Sequence, residues 1–334
     1  MNDKLRWGIL GTSKIARTWL IPAIQATSHS EVAALGSRSG EKARQEAEGF
    51  NINKYHNSYE ALLEDPEIDV IYNPLPNHLH TQWSIEAIKA GKHILCEKPL
   101  GLDYGDAKRL VDTAAQYPEI KVMEAFMYRF HPQWQEVRQI IQSGKLGKVS
   151  SVYAVFSYFN NDPQNVRNMH TTGGGGLLDI GCYCVSVARY IFNEEPTEVF
   201  ADIDVDLAFK VDRLALGALR FPSGRAQFRS STQCHPSQRV VVAGEKGELV
   251  IPTPFYQEPG EPVALELVCN GNRDTVYLDS CNHYQAQVDA FAESIRTKRA
   301  VPTPLSDALA NMQCLDALLR SHHTGAWVKL SSGE

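Results

Sequence analysis

The stretch L-R-W-G-I-L-G-T-S-K-I-A, Leu5–Ala16, sets a short apolar run directly before a glycine and a helix-forming segment. Leu5–Leu10 reads as a buried strand. Ile15–Ala26 follows as a helix, because Ile15, Trp19, Ala23 and Ala26 recur at three- and four-residue spacing. The turn between them has the frame G-x-G-x-x-G, with Ser13 and Ala16 standing at the second and third glycine positions. The first glycine allows the tight turn, the second lets backbone approach a pyrophosphate, and the third lets the helix pack on the strand. Ser and Ala are small enough for those two places. A helix N-terminus offers its N–H groups to phosphates. Gly11, Thr12, Ser13, Lys14 and Ile15 are therefore candidates for holding a dinucleotide.

The next strand, Glu31–Gly36, ends in Gly36-Ser37-Arg38-Ser39. An acidic residue at this place binds a ribose 2′-hydroxyl, whereas an arginine accommodates a 2′-phosphate. No carboxylate stands here. Ser37 can donate a hydrogen bond and Arg38 can pair with a phosphate, so the pattern favours NADP over NAD.

The same alternation continues outward. Ser39 and Ser58 are positioned as helix caps. Asp69–Tyr72 and His93–Cys96 read as strands. Thr81–Ala90, closed by Gly91, and Asp103–Gln116 read as helices, and Lys121–Met123 begins another strand. Strands alternating with helices imply right-handed βαβ units and a doubly wound parallel sheet. After about residue 125 the pattern changes. A helix over Pro132–Ser143 precedes eight β-rich segments: 149–159, 198–205, 213–221, 225–231, 239–243, 248–251, 265–269 and 275–278. Turn signals such as Pro222-Ser223-Gly224 join several of them. Two helices, His283–Thr297 and Ser306–His322, close the chain. The expected class is α/β, with residues 1–125 as a dinucleotide-binding domain. Residues 126–334 form a second, α+β domain on a large, mostly antiparallel sheet. A cleft where two such domains meet is the default ligand site.

Composition narrows the function. The 334 residues suggest about two domains. Lys plus Arg number 33 against 39 Asp plus Glu, a net charge of −6, so no global field attracts nucleic acid or anionic lipid. No apolar run reads as a membrane span, and Lys14 and Arg17 interrupt what would be a signal peptide's apolar core. The seven cysteines are scattered, and the eleven histidines show no metal-ligand spacing. The expectation is a cytoplasmic protein with reduced thiols and no metal.

Three segments carry chemistry. The strand at His93–Cys96 runs into Glu97-Lys98-Pro99. A lysine at the carboxyl end of a parallel strand faces the crevice where ligands bind, Pro99 stiffens the turn, and Glu97 can fix the ammonium. The neighbouring strand ends in Asn73-Pro74-Leu75-Pro76-Asn77-His78, followed by His80. Pro74, Leu75, Asn77, His80, Glu97 and Lys98 join the candidates at the cofactor. Farther on lies Gly173-Gly174-Gly175-Gly176-Leu177-Leu178-Asp179-Ile180-Gly181-Cys182-Tyr183. Asp179 and Tyr183 share one face if Asp179 starts a helix. Lys98, Asp179 and Tyr183 converging on one cleft would make a proton-transfer site.

With these motifs the whole chain resembles the Gfo/Idh/MocA oxidoreductase family. The resemblance rests on the N-terminal loop, N-P-L-P-N-H-x-x-H, E-K-P, the E-A-F-M-Y-R-F-H-P stretch from Glu124 to Pro132, and the D-I-G-C-Y block. The family's second motif often ends in histidine. Tyr183 stands there instead, as in the branch containing glucose–fructose oxidoreductase, dimeric trans-dihydrodiol dehydrogenase and NADP-dependent D-xylose dehydrogenase. The resemblance implies an N-terminal Rossmann domain, NADP, and a C-terminal open-faced sheet that makes a homodimer or homotetramer. It also implies hydride transfer between nicotinamide and a sugar-like alcohol or carbonyl, with Lys98 beside the nicotinamide and Tyr183 as proton carrier. Asp179 then holds substrate or lysine. A trans-dihydrodiol dehydrogenase or keto-sugar reductase would use the same machinery. A protein that senses NADP or a sugar without turnover is the non-enzyme alternative, and it would need neither Lys98 nor Tyr183.

Overall fold

The computed structural model describes residues 4–258 and 260–330. Six strands form the first sheet: β1 (Leu5–Leu10), β2 (Ser30–Gly36), β3 (Lys54–His56), β4 (Val70–Asn73), β5 (His93–Cys96) and β6 (Val122–Glu124). Their order is β3-β2-β1-β4-β5-β6, and every neighbouring pair is parallel. The order reverses between β1 and β4. Such a switch point opens a crevice beyond the carboxyl ends of the strands. β1 and β4 are near-continuous apolar runs because both faces of a parallel sheet are covered; Trp7, Ile9, Val70, Ile71 and Tyr72 are fully buried.

The connecting helices are α1 (Ile21–Ala26), α2 (Gly40–Gly49), α3 (Tyr59–Leu63), α4 (His80–Lys89) and α5 (Tyr104–Ala115). The capping residues act as read: Ser39 accepts from the Lys42 N–H, Ser58 from Ala61, and Asp103 from Asp106. β3 has no counterpart in the sequence reading, because three residues give no period to detect. The helix expected from Ile15 is not uniform: Ala16–Leu20 is a π-helical turn that passes into α1. The wider turn accompanies a flat stack of Trp19 on Tyr284 at 5.6 Å.

The remaining elements are α6 (Gln133–Gln142), β7 (Val149–Phe159), α7 (Cys182–Phe192), β8 (Glu198–Val205), β9 (Asp212–Arg220), β10 (Arg225–Ser231), β11 (Gln233–Gly244), β12 (Gly247–Ile251), β13 (Val263–Cys269), β14 (Asn272–Leu278), α8 (His283–Arg296), α9 (Leu305–Thr324) and β15 (Val328–Lys329). The nine strands pair in the order β14-β13-β12-β11-β7-β10-β9-β8-β15, antiparallel throughout except for the parallel pair β7–β10. One face packs against α7, whose side chains are almost all buried. Register places Tyr153, Leu216 and Tyr277 together on one face, where they are 43%, 45% and 78% exposed.

The chain divides into two compact units, Met1–Met127 with Asn282–Leu309 and Tyr128–Cys281 with Ala310–Glu334. A single boundary at residue 125 therefore does not describe the chain. α8 belongs with the first sheet because its Phe291 packs edge-on against Trp7 at 6.0 Å, and Tyr284 stacks on Trp19. One expectation about apolar runs is also corrected. The helical run 170–192 has the length and composition of a membrane span, and it is buried inside the second unit. None of the seven thiols is in a disulfide.

Candidate functional site

In the first unit the candidate residues cluster at the carboxyl ends of β1, β2, β4 and β5. Gly11 has φ +76°, and a Cβ there would stand 3.0 Å from Leu75 Cδ2. This position admits only a residue without a side chain, which close approach of a pyrophosphate requires. The Gly11 N–H donates to the Gly36 carbonyl at 2.7 Å, so the loop is tied to the end of β2. Ser13 Oγ accepts from the Ala16 N–H at 3.2 Å and so starts the helical run. Thr12 and Ile15 are half-buried and Lys14 is exposed. At the end of β2, Ser37 is buried and Arg38 exposed. These features fit a dinucleotide with a 2′-phosphate. Gly11, Thr12, Ser13, Lys14 and Ile15 would hold the diphosphate, and Ser37 and Arg38 the 2′-phosphate.

Asn73 ties the next two loops together. Its side chain donates to the His80 carbonyl and to Ser84 Oγ, both at 3.0 Å, and accepts from the Leu75 N–H. Pro74 and Leu75 are buried, and Asn77 and Lys98 half-buried. His80 is 1% exposed. Its Nδ1 lies 2.8 Å from the Pro99 carbonyl oxygen and its Nε2 lies 2.6 Å from that of Leu75. Burial, with the positive charge of Lys98 adding to it, pushes the imidazole down to about 4, against the pull of the two carbonyls. His80 therefore corrects the sequence reading: it clamps the backbone of both loops and has no surface left for a cofactor. Glu97 accepts a hydrogen bond from the Tyr72 hydroxyl at 2.6 Å. Tyr72 was not singled out in the sequence, where it reads as an ordinary strand residue.

In the second unit the glycine run is held by one carboxylate. Asp212 Oδ2 accepts from the Leu177 N–H at 2.6 Å. Gly175, at φ +115°, packs so closely on that carboxylate that any Cβ would collide with it. Burial pushes Asp212 up to about 6, against the backbone N–H groups of Leu177, Asp212 and Gly176. Asp179 does not start a regular helix. It lies in a π-helical turn, Leu177–Gly181, that passes into α7, so the simple four-residue alignment with Tyr183 is replaced by a wider turn. Asp179 is 9% exposed. Tyr158 donates its hydroxyl to Asp179 Oδ2 at 2.5 Å, and Arg167 Nε pairs with the same oxygen at 2.9 Å. Burial, with the Asp179 charge beside it, pushes the Tyr158 phenol up. Sequence spacing gave no signal for these two partners, because they come from a strand and a short turn elsewhere in the chain.

Tyr183 is 5% exposed, and its ring sits among Phe156, Phe255 and Tyr128 at 5.5, 5.5 and 5.8 Å. Cys182 is fully buried beside it. Arg129 donates to Ser186 Oγ at 2.8 Å. Among the described residues no group of three or more His, Cys, Asp or Glu is arranged to hold a metal.

Residues 5–126 match the oxidoreductase family with an NAD-binding Rossmann fold, and residues 134–250 match the GFO/IDH/MocA C-terminal domain. An uncharacterized oxidoreductase of Rhizobium meliloti is 38% identical over 97% of this chain and 99% of its own length. The chain belongs to the GFO/IDH/MocA oxidoreductase family. It is therefore an NAD(P)-dependent oxidoreductase, as the sequence motifs implied. A D-xylose 1-dehydrogenase (NADP+) of Haloferax volcanii is 35% identical over 98% of this chain and all of its own. Among solved structures, the aldose–aldose oxidoreductase of Caulobacter crescentus superposes with a TM-score of 0.91 at 28% identity, covering 98% of this chain and all of that one. A 3-ketoreductase of Actinomadura kijaniata in complex with TDP-benzene and NADP gives 0.91 at 27% identity over 95% of this chain and 98% of its own.

Proposed function

We propose that this protein catalyses NADP-dependent oxidation of a sugar-like secondary or hemiacetal alcohol, or the reverse reduction, with the first unit binding cofactor and the second binding substrate. The observation that carries this reading is the end of β2. Gly36-Ser37-Arg38 offers a cation and a hydroxyl where NAD-selective chains present a carboxylate. The relatives named for NADP and D-xylose support it. The bound nicotinamide supplies the hydride chemistry. Tyr183 takes the substrate hydroxyl proton in oxidation and returns it in reduction. Lys98 places a positive charge by the developing alkoxide, and Asp179, held by Tyr158 and Arg167, orients substrate. His80 acts at one remove, by fixing the carbonyls of Leu75 and Pro99.

The uncovered face of the second sheet, with Tyr153, Leu216 and Tyr277 exposed, supports a homodimer or homotetramer formed there. The thiols fit a reducing, cytoplasmic setting. A second reading, a keto-sugar reductase on the same residues, is supported by a 31% identical dTDP-sugar 3-reductase of Streptomyces violaceoruber covering 87% of this chain.

The test is a panel of D-xylose, D-glucose, an inositol and a trans-dihydrodiol, each mixed with protein and either NADP or NAD while reduction of the nucleotide is followed by absorbance. We expect turnover with at least one sugar and a preference for NADP that Arg38→Ala abolishes. Turnover with NAD alone, or none with any alcohol or its carbonyl partner, overturns the proposal.

A further inference from the structure

The loop after β1, the end of β2 and the first turn of α3 meet at one side chain that the sequence reading passed over. α3 is brought there by Leu62, whose side chain packs on Gly36 so tightly that a Cβ would lie 2.8 Å from the Leu62 Cβ. Ser58 caps the same helix and directs its first residue, Tyr59, inward, where it is 5% exposed. The Tyr59 ring is held edge-on by Trp83 at 4.8 Å. Its hydroxyl ends 3.7 Å from where a Cβ on Gly11 would be. The Arg38 guanidinium stands beside that hydroxyl, close enough to offer it a hydrogen bond.

From this meeting point we propose that Tyr59 is a positioning residue for cofactor selectivity: it holds the guanidinium of Arg38 in place for a 2′-phosphate while leaving the site for the rest of the dinucleotide unchanged. An exposed arginine samples many rotamers, and ordering it on binding costs affinity. A buried phenol fixed by Trp83 and by the Ser58-capped turn gives the arginine one preferred partner before any ligand arrives. The electrostatics agree with that contact, since burial pushes the Tyr59 phenol up while the Arg38 charge and hydrogen bond pull it down. A ligand lacking the 2′-phosphate makes no use of Arg38, so the effect is confined to phosphorylated dinucleotides. The inference rests on the assignment of Arg38 to the 2′-phosphate.

The experiment titrates NADP and NAD separately into the whole protein by calorimetry, for wild type, Tyr59→Phe, Arg38→Ala and the double variant, with thermal unfolding followed in parallel. Tyr59→Phe keeps the ring against Trp83. We expect its dissociation constant for NADP to rise roughly three- to tenfold, the factor associated with ordering one long side chain, with that for NAD unchanged. Arg38→Ala should weaken NADP more, and the double variant should be no worse than Arg38→Ala alone. Equal weakening toward both nucleotides would make Tyr59 a structural residue only and overturn the inference. So would unchanged NADP binding in Tyr59→Phe when Arg38→Ala shows its loss. If Arg38→Ala itself leaves NADP binding intact, the assignment of Arg38 fails and the inference falls with it.

Discussion

Replacing Asp212 with asparagine separates the charge of this carboxylate from its hydrogen bonding. Asp212 holds the loop that carries Asp179 and Tyr183 through the Leu177 N–H at 2.6 Å. The amide oxygen of asparagine accepts that bond equally well. The folded chain keeps the Asp212 proton up to about pH 6, whereas the ordinary value is 3.8. Between those values the unfolded chain binds fewer protons at this site, so the contribution of Asp212 to stability falls as pH rises. A shift of about two units corresponds to roughly 3 kcal/mol at most. Other carboxylates act in the opposite direction: Asp65, held down to about 2 by Lys54, His56 and the Glu67 N–H, gains stability for the fold as pH rises from 2 toward 4. The difference between variant and wild type isolates Asp212 from them. Urea unfolding at pH 4, 5, 6 and 7 should show Asp212→Asn gaining on wild type by up to about 3 kcal/mol across the range. Any fixed offset from the new amide N–H₂ cancels. Parallel stability curves, or a carbon-detected carboxyl titration of Asp212 near its ordinary value, would refute the argument.

Three further outcomes follow from the same geometry. Tyr183→Phe keeps the ring among Phe156, Phe255 and Tyr128, so folding and NADP binding should persist while turnover falls by roughly 10²–10⁴-fold; normal turnover with an unchanged pH profile would move the proton carrier elsewhere. Gly11→Ala forces a side chain onto φ +76° and against Leu75 Cδ2, and should cost about 1–3 kcal/mol of stability together with most nucleotide affinity; a variant that melts and binds like wild type contradicts that packing. Cys182→Ala should retain the pH profile and most of the turnover, whereas a dead variant whose parent is inactivated stoichiometrically by alkylation at Cys182 would point to a covalent role.

Much of the scaffold was legible in local patterns. The apolar run before Gly11, the serine and aspartate caps at 39, 58 and 103, and the alternation in β7, β8 and β10 each depend on residues close together in sequence, so spacing reveals them. The nucleotide loop, Arg38, Lys98 and Tyr183 were legible for a related reason, since turn chemistry and strand-end position mark them. The environment of those residues was not. Tyr158 lies 21 residues before Asp179, and Tyr72 lies 25 residues before Glu97; no local period links either pair. His80 looked like a ligand-facing imidazole until its two ring nitrogens were found against carbonyl oxygens on separate loops. The π-helical turns before α1 and α7 also escaped the sequence, because a single extra residue in a turn leaves the apolar pattern nearly intact.

What the sequence determined by itself is the order of elements, the class of each half and the chemical types offered at the strand ends, because these are properties of short windows. Only the tertiary structure decided that α8 packs with the first sheet through Phe291 and Trp7, that Asp212 anchors the glycine run, and that Tyr59 reaches both Gly11 and Arg38. Those contacts join residues far apart in the chain. They form only where burying the apolar faces together outweighs the entropy of closing the loops between them.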